Sequence, residues 1–215
     1  MADIFDEIAD DIKQDNFRKI FDKYGTHLVS FLILIIVSTA GGVWYKNHSN
    51  NKMIQSADEY FAIKNISGAN AEEKQIEALL GLSKDATESI SAIAKIDVAK
   101  KYEAKKEVEK ALALYSEVAK ESSIKAFADF AYLRKIALQR KNNAAEAEIS
   151  EINKKLEELS EPGRTWRFSA MEISALMALE SNEAEKAKEI LQKLQSDIAT
   201  PRSIKNRAKI LLSRI

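Results

Sequence analysis

The sequence has no cysteine, only six glycines, two prolines and two histidines in 215 residues. Without cysteine there is no disulfide framework, thiolate metal site or cysteine nucleophile. His27 and His48 flank the long apolar run, about 30 Å apart if the segment is helical at roughly 1.5 Å per residue, so they cannot share a metal or form a catalytic pair. Formal net charge is zero, with 33 basic and 33 acidic residues, which argues against a nucleic-acid partner. No glycine-rich phosphate loop, serine-centred elbow or carboxylate–histidine ligand spacing occurs, so neither catalytic residues, a metal site nor a cofactor is expected. Scarce glycine and proline, with abundant Ala, Glu, Lys, Leu and Ile, predict an almost wholly helical protein.

One stretch breaks the charged pattern. Residues 28–45 are eighteen uncharged residues, enough as a helix to reach about 27 Å, close to the hydrocarbon thickness of a bilayer. Leu28, Phe31, Ile35, Val37 and Trp44 belong to this predicted transmembrane helix, taken as residues 26–46. Tyr24 on one side, and Trp44 with Tyr45 on the other, are placed as interfacial aromatics backed by Lys23 and Lys46. A buried core helix would carry a polar stripe, and here the whole circumference is apolar. Ser38 and Ala40 resemble a signal-peptide cleavage site, but the preceding segment is long and acidic where a secretory n-region is short and basic. The expectation is an uncleaved anchor. Lys13, Arg18, Lys19 and Lys23 precede it, against Lys46 and Lys52 after it, which favours a cytoplasmic N-terminus.

Before the span, residues 1–25 read as an amphipathic tail: Ile4, Phe5, Ile8 and Ile12 form one stripe, then Asp15 caps a second short helix. This tail either docks a partner helix or is a juxtamembrane extension. After the span, residues 47–215 form a helical domain. Ile54, Ala57, Phe61 and Ala62 make a stripe on a stalk or first helix, and Ser67-Gly68-Ala69-Asn70 makes a turn. A helix over 71–82 ends at Ser83-Lys84-Asp85, where Asp85 and Glu88 have capping-box spacing.

Three helical hairpins follow. Their first arms are roughly 87–104, 124–140 and 165–180, and their second arms 108–121, 144–159 and 184–196. The second arms share a stripe: Ala111-Tyr115-Val118, Ala145-Ile149-Ile152 and Ala187-Leu191-Leu194. Asn143/Glu146 and Asn182/Glu185 have capping-box spacing, and Thr200-Pro201 starts a last helix with a cap and a first-turn proline.

Val98-Ala99-x2-Tyr102 followed by Ala111-x3-Tyr115-x2-Val118 resembles a tetratricopeptide repeat, without the repeat's usual Trp, Gly and terminal Pro. Asp3-Ile4-Phe5, Arg18-Lys19, Phe21-Asp22-Lys23-Tyr24-Gly25 and the single span resemble the start of the YfgM-like proteins, especially their alphaproteobacterial members. Trp166-Arg167, Ala170, Glu172, Pro201 and Arg207-Ala208 are similar to the end of that family. The resemblance implies an all-α, single-span inner-membrane protein with a periplasmic tetratricopeptide-like stack of helical hairpins. It also implies partners among envelope proteins, the SecYEG translocon and periplasmic chaperones being those of better-studied relatives.

The expected role is therefore an adaptor that presents a concave surface to another protein. The alternative is a self-associating structural scaffold of the inner membrane with no client. Candidate partner-binding residues are Trp166 and Arg167 near an inter-hairpin turn, and Arg202, Lys205 and Lys209 on a last helix that carries no acid. A Trp so placed is more often a packing wedge than a ligand anchor. The last helix reads first as a polar cap on the stack, and second as a contact for anionic lipid or an acidic partner. Tyr102, Tyr115, Phe127, Phe130 and Tyr132 line either a groove or the hairpin core.

Overall fold

A computed structural model describes residues 2–141 and 146–215, and the side chains of 24–27, 29–140 and 149–215. The described elements are helices: α1 (Ala2–Lys64), α2 (Ala71–Asp85), α3 (Glu88–Ala104), α4 (Val108–Glu121), α5 (Lys125–Lys141), α6 (Glu146–Leu159), α7 (Arg167–Glu180), α8 (Ala184–Ser196) and α9 (Arg202–Leu212). The chain divides into two compact units, Met1–Ile54 and Gln55–Ile215.

In the first unit α1 is continuous, so the helix break predicted at Asp15 is absent and Gly25 lies inside the helix. No proline interrupts it, and an internal glycine costs only about 1 kcal/mol. The tail side chains, and that of Leu28, lie outside those described. Tyr24–Lys64 is long and apolar enough to cross a membrane, and none of its apolar window is buried within the protein. A core helix of a soluble domain would be mostly buried. Ser30 and Thr39 return their hydroxyls to the carbonyls of Thr26 and Ile35, at 2.8 and 2.7 Å. This internal pairing is what an apolar solvent requires of a hydroxyl.

The second unit is a stack in which each layer of core is shared by three consecutive helices. Ile63 of α1 packs with Ile76, Leu79 and Leu82 of α2 and Ala94 and Val98 of α3. Ala92, Ile96 and Ala99 of α3 then pack with Ala111, Tyr115 and Val118 of α4 and Ala131 of α5. Leu133 and Ile136 of α5 meet Ile152, Leu156 and Leu159 of α6 and Ala170 of α7. Ala175 of α7 closes the series with Leu191 and Leu194 of α8 and Ile204 and Ala208 of α9. The C-terminal turns of α1 and helix α2 thus make a hairpin before the three expected. The helices α3, α5 and α7 each feed two clusters from opposite sides, whereas α2, α4, α6 and α8 feed one.

That difference explains which expectations held. The single-sided stripes Ala111-Tyr115-Val118 and Ala187-Leu191-Leu194 are fully or almost fully buried. In α6 the buried series is Ile152, Leu156 and Leu159, Ile149 is half-buried, and Ala145 lies outside the described residues. A constant offset carries Ala99, Ala111, Tyr115 and Val118 onto Ala175, Ala187, Leu191 and Leu194, each buried. Alanines at these crossings let the paired helices approach closely.

The turns depart from the capping predictions. Asn182 (φ 58°) and Lys106 (φ 61°) are left-handed, and the amides of Glu183 and Glu107 bond back to Ala178 and Tyr102 at 2.8 and 2.9 Å. Both turns are Schellman closures, in which the left-handed residue satisfies the last helix carbonyls. Asn182 therefore serves the end of α7 rather than the start of α8, and the predicted box with Glu185 does not form. Asn143 lies outside the described residues. Helix α2 continues through Asp85 and Thr87 occupies the cap position of α3, so the Asp85/Glu88 box is also absent. Pro201 occupies the cap position of α9, where Thr200 was expected, and Thr200 is buried. Ile54, Phe61 and Ala62 face outward, while Ser56 and Ile63 are the buried positions of that stretch. A stripe of only two large apolar residues was phased to the wrong side.

Candidate interaction surface

Successive odd-numbered helices are joined by ion pairs. Lys64 donates to Asp97 at 2.7 Å, joining α1 to α3, and Arg134 donates to Glu103 at 2.5 Å, joining α5 to α3. Arg140 of α5 pairs with Glu180 of α7, and Arg207 of α9 donates to Glu172 of α7 at 2.5 and 2.7 Å. Exposed pairs of this kind contribute about 0–1 kcal/mol each. Their repetition fixes how neighbouring hairpins are phased more than how stable they are.

The second of these pairs reaches the core. Tyr115 is fully buried, and its hydroxyl donates to Glu103 at 2.6 Å. Burial, then the Glu103 carboxylate, pushes the phenol up, so it remains a donor across the physiological range. Glu103 thus ties α3 to both α4 and α5.

A second carboxylate holds a turn. Glu88 accepts from the Ser123 hydroxyl at 2.7–2.8 Å, the Ser123 amide at 2.6 Å and the Ile124 amide at 3.2 Å, satisfying donors at the start of α5. These bonds, the Ser123 hydroxyl first, hold its carboxyl below the ordinary 4.5. A depressed carboxyl stabilises the fold fully above its unfolded value, and that contribution is lost as pH falls through the folded value. The Ser123 and Ile124 amide resonances should therefore titrate with a midpoint below 4.5, and Glu88→Gln should abolish that titration. A midpoint at or above the ordinary value would show the clasp open in solution.

Trp166 is half-buried beside α5: its indole N–H donates to the Ala126 carbonyl at 2.7 Å and its ring lies 5.1 Å from that of Phe130. Arg167 pairs with Asp197 in the α8–α9 loop and stacks on Phe168 at 4.3 Å. Both side chains are thus engaged within the stack. The α9 cations differ. Arg202, Lys205 and Lys209 follow one another at spacings of three and four, on one face of the helix, and none forms an ion pair among the described residues. Exposed Ile210 lies on the same outer side, and Ile198 in the preceding loop is 95% exposed.

Of the five aromatics, Tyr115 is core, and Tyr102, Phe127 and Phe130 pack against the same cluster. Tyr132 packs against the next cluster and also borders a hollow of about 590 Å³ between α4, α5 and α6, with Lys120, Lys135, Lys154 and Lys155 at its edge. Sequence reading missed it because its lysines come from three helices and share no local spacing. Among the described residues no group of His, Asp and Glu is arranged to hold a metal ion.

A family model described as a tetratricopeptide repeat-like domain matches residues 18–162, more than half of the chain. No curated protein and no solved structure matches. Domains of this kind generally mediate protein–protein contact and are typically non-catalytic. Helices stacked in pairs, with cores shared between hairpins and small residues at the crossings, agree with that match, and the chain belongs to the tetratricopeptide repeat-like domain family.

Proposed function

We propose that this protein is a membrane-anchored adaptor of the bacterial envelope. In this reading residues 1–25 are cytoplasmic, 26–46 span the inner membrane once, and 47–215 are a periplasmic interaction domain. The observation that carries the anchor is an apolar helix with none of its window buried in the protein. The partner surface is the α9 face of Arg202, Lys205 and Lys209, whose unpaired cations suit an acidic segment of another protein. Trp166 and Arg167 support that surface by fixing α7 against α5 and against the α8–α9 loop. The resemblance to YfgM-like proteins points to a SecYEG component or a periplasmic chaperone as the partner. Tethering raises the effective concentration of the contact at the membrane.

The test joins topology to capture. Alkaline phosphatase fused after Ile215 should be active, and a photoreactive residue at Arg202 should give a discrete crosslink to an envelope protein. With the photoreactive residue kept at position 202, replacing Lys205 and Lys209 with Glu should remove that crosslink while leaving the chain in the membrane. An inactive fusion would place the domain in the cytoplasm, and an unchanged crosslink would move the binding face elsewhere.

A further inference from the structure

The first unit carries an unpartnered helix face with the spacing of a coiled coil. Ile33, Ile36, Ala40, Val43, Asn47, Asn50 and Ile54 follow one another at alternating steps of three and four along α1. This is the a/d pattern of two helices packed side by side. All seven are exposed. On the same face Ala40 lies in a shallow depression walled by Ile35, Ile36, Thr39, Val43, Trp44 and Asn47. A small residue ringed by larger ones at these spacings is the hole into which a facing knob inserts.

The chemistry of the face selects its occupant. No charged residue falls on it between Ile33 and Ile54, whereas Lys46 and Lys52 of the same stretch lie off it. In a parallel pair of identical helices each a or d residue meets its own copy, so a charge there would be repelled and a neutral residue would not. Asn47 and Asn50 are suited to such self-pairing, because each amide both donates and accepts. A second copy anchored in the same bilayer presents these residues at the same depth and in the same direction.

We propose that α1 pairs in parallel with α1 of a second copy through the face running from Ile33 to Ile54, making the anchor a two-fold symmetric stem. The inference rests on the anchored reading above.

The absence of cysteine makes the test direct. Single cysteines are placed in the full-length chain at Asn47, Asn50 and Ile54, and at the off-face positions His48, Ser49 and Lys52. Native membranes are then oxidised with copper phenanthroline. Disulfide-linked dimer should form at Asn47→Cys, Asn50→Cys and Ile54→Cys and be weak at the other three, giving a repeat of 3.5 residues. Membrane-associated chains that crosslink at no position, or equally at all six, would overturn the parallel pair and leave the anchor standing. Chains recovered in the soluble fraction would overturn both.

Discussion

Tyr115→Ala should destabilise the repeat domain by about 4 kcal/mol, the usual cost of removing a buried aromatic and leaving its cavity. The side chain is fully buried at the centre of the cluster shared by α3, α4 and α5, and its hydroxyl donates to Glu103. Truncation removes the ring that fills the layer and one of the two donors on a half-buried carboxylate. Tyr115→Phe separates the two contributions: it keeps the ring and should cost about 1.5–3 kcal/mol, the range for a hydrogen bond to a charged group. Trp166 reports the loss, because its ring meets Phe130, which packs against the same cluster. With Trp44→Phe as background, Trp166 fluorescence against denaturant should show a lower midpoint for both variants, more so for alanine. A loss below about 1 kcal/mol for alanine would mean that α4 and α5 close over the gap, which alanines on α3 and α4 would have to permit.

Ile35→Asp combined with Val37→Asp should release the chain from the membrane. Ten Leu, Ile, Val and Phe residues lie in 28–45. At roughly −0.3 to −0.6 kcal/mol each they favour insertion by about 3–6 kcal/mol. Two aspartates near the middle oppose this by about 2.5–3.5 kcal/mol each and remove two favourable side chains. The balance becomes unfavourable, so the double variant should leave the pellet on alkaline extraction while the parent remains in it. Ile35→Val with Val37→Ile preserves the composition and should extract like the parent. Retention of the double aspartate variant in the pellet would indicate an attachment other than this helix.

Some elements could be read because one feature decides each of them. The long apolar helix follows from eighteen uncharged residues, since no arrangement of the rest of the chain makes that segment polar. The helices α4 and α8 follow from Ala111-Tyr115-Val118 and Ala187-Leu191-Leu194, because each buries a single stripe, and one stripe leaves one period in the sequence. The candidate residues were only partly legible. Arg202, Lys205 and Lys209 could be identified as a cationic face from spacing alone. That Trp166 spends its N–H on Ala126 could not, because the partner carbonyl belongs to another hairpin.

The tertiary structure decided what depends on two elements at once. Helices α3, α5 and α7 are apolar on two sides, so their periodicity blurs, and only the stack assigns Ala94 and Val98 to one core and Ala92, Ile96 and Ala99 to the next. The extra hairpin of α1 and α2 rests on Ile63 sharing a core with Ile76, Leu79 and Leu82, a juxtaposition with no local signature. Asn182 is fixed as a helix stop by the Schellman bond from Glu183 to Ala178, although its spacing from Glu185 suits a helix start equally well. Composition and single stripes determined that this chain is helical, repeated and equipped with a helix apolar enough to cross a membrane. Burial shared between neighbours decided which faces pair, which carboxylates staple the hairpins and which cations remain available.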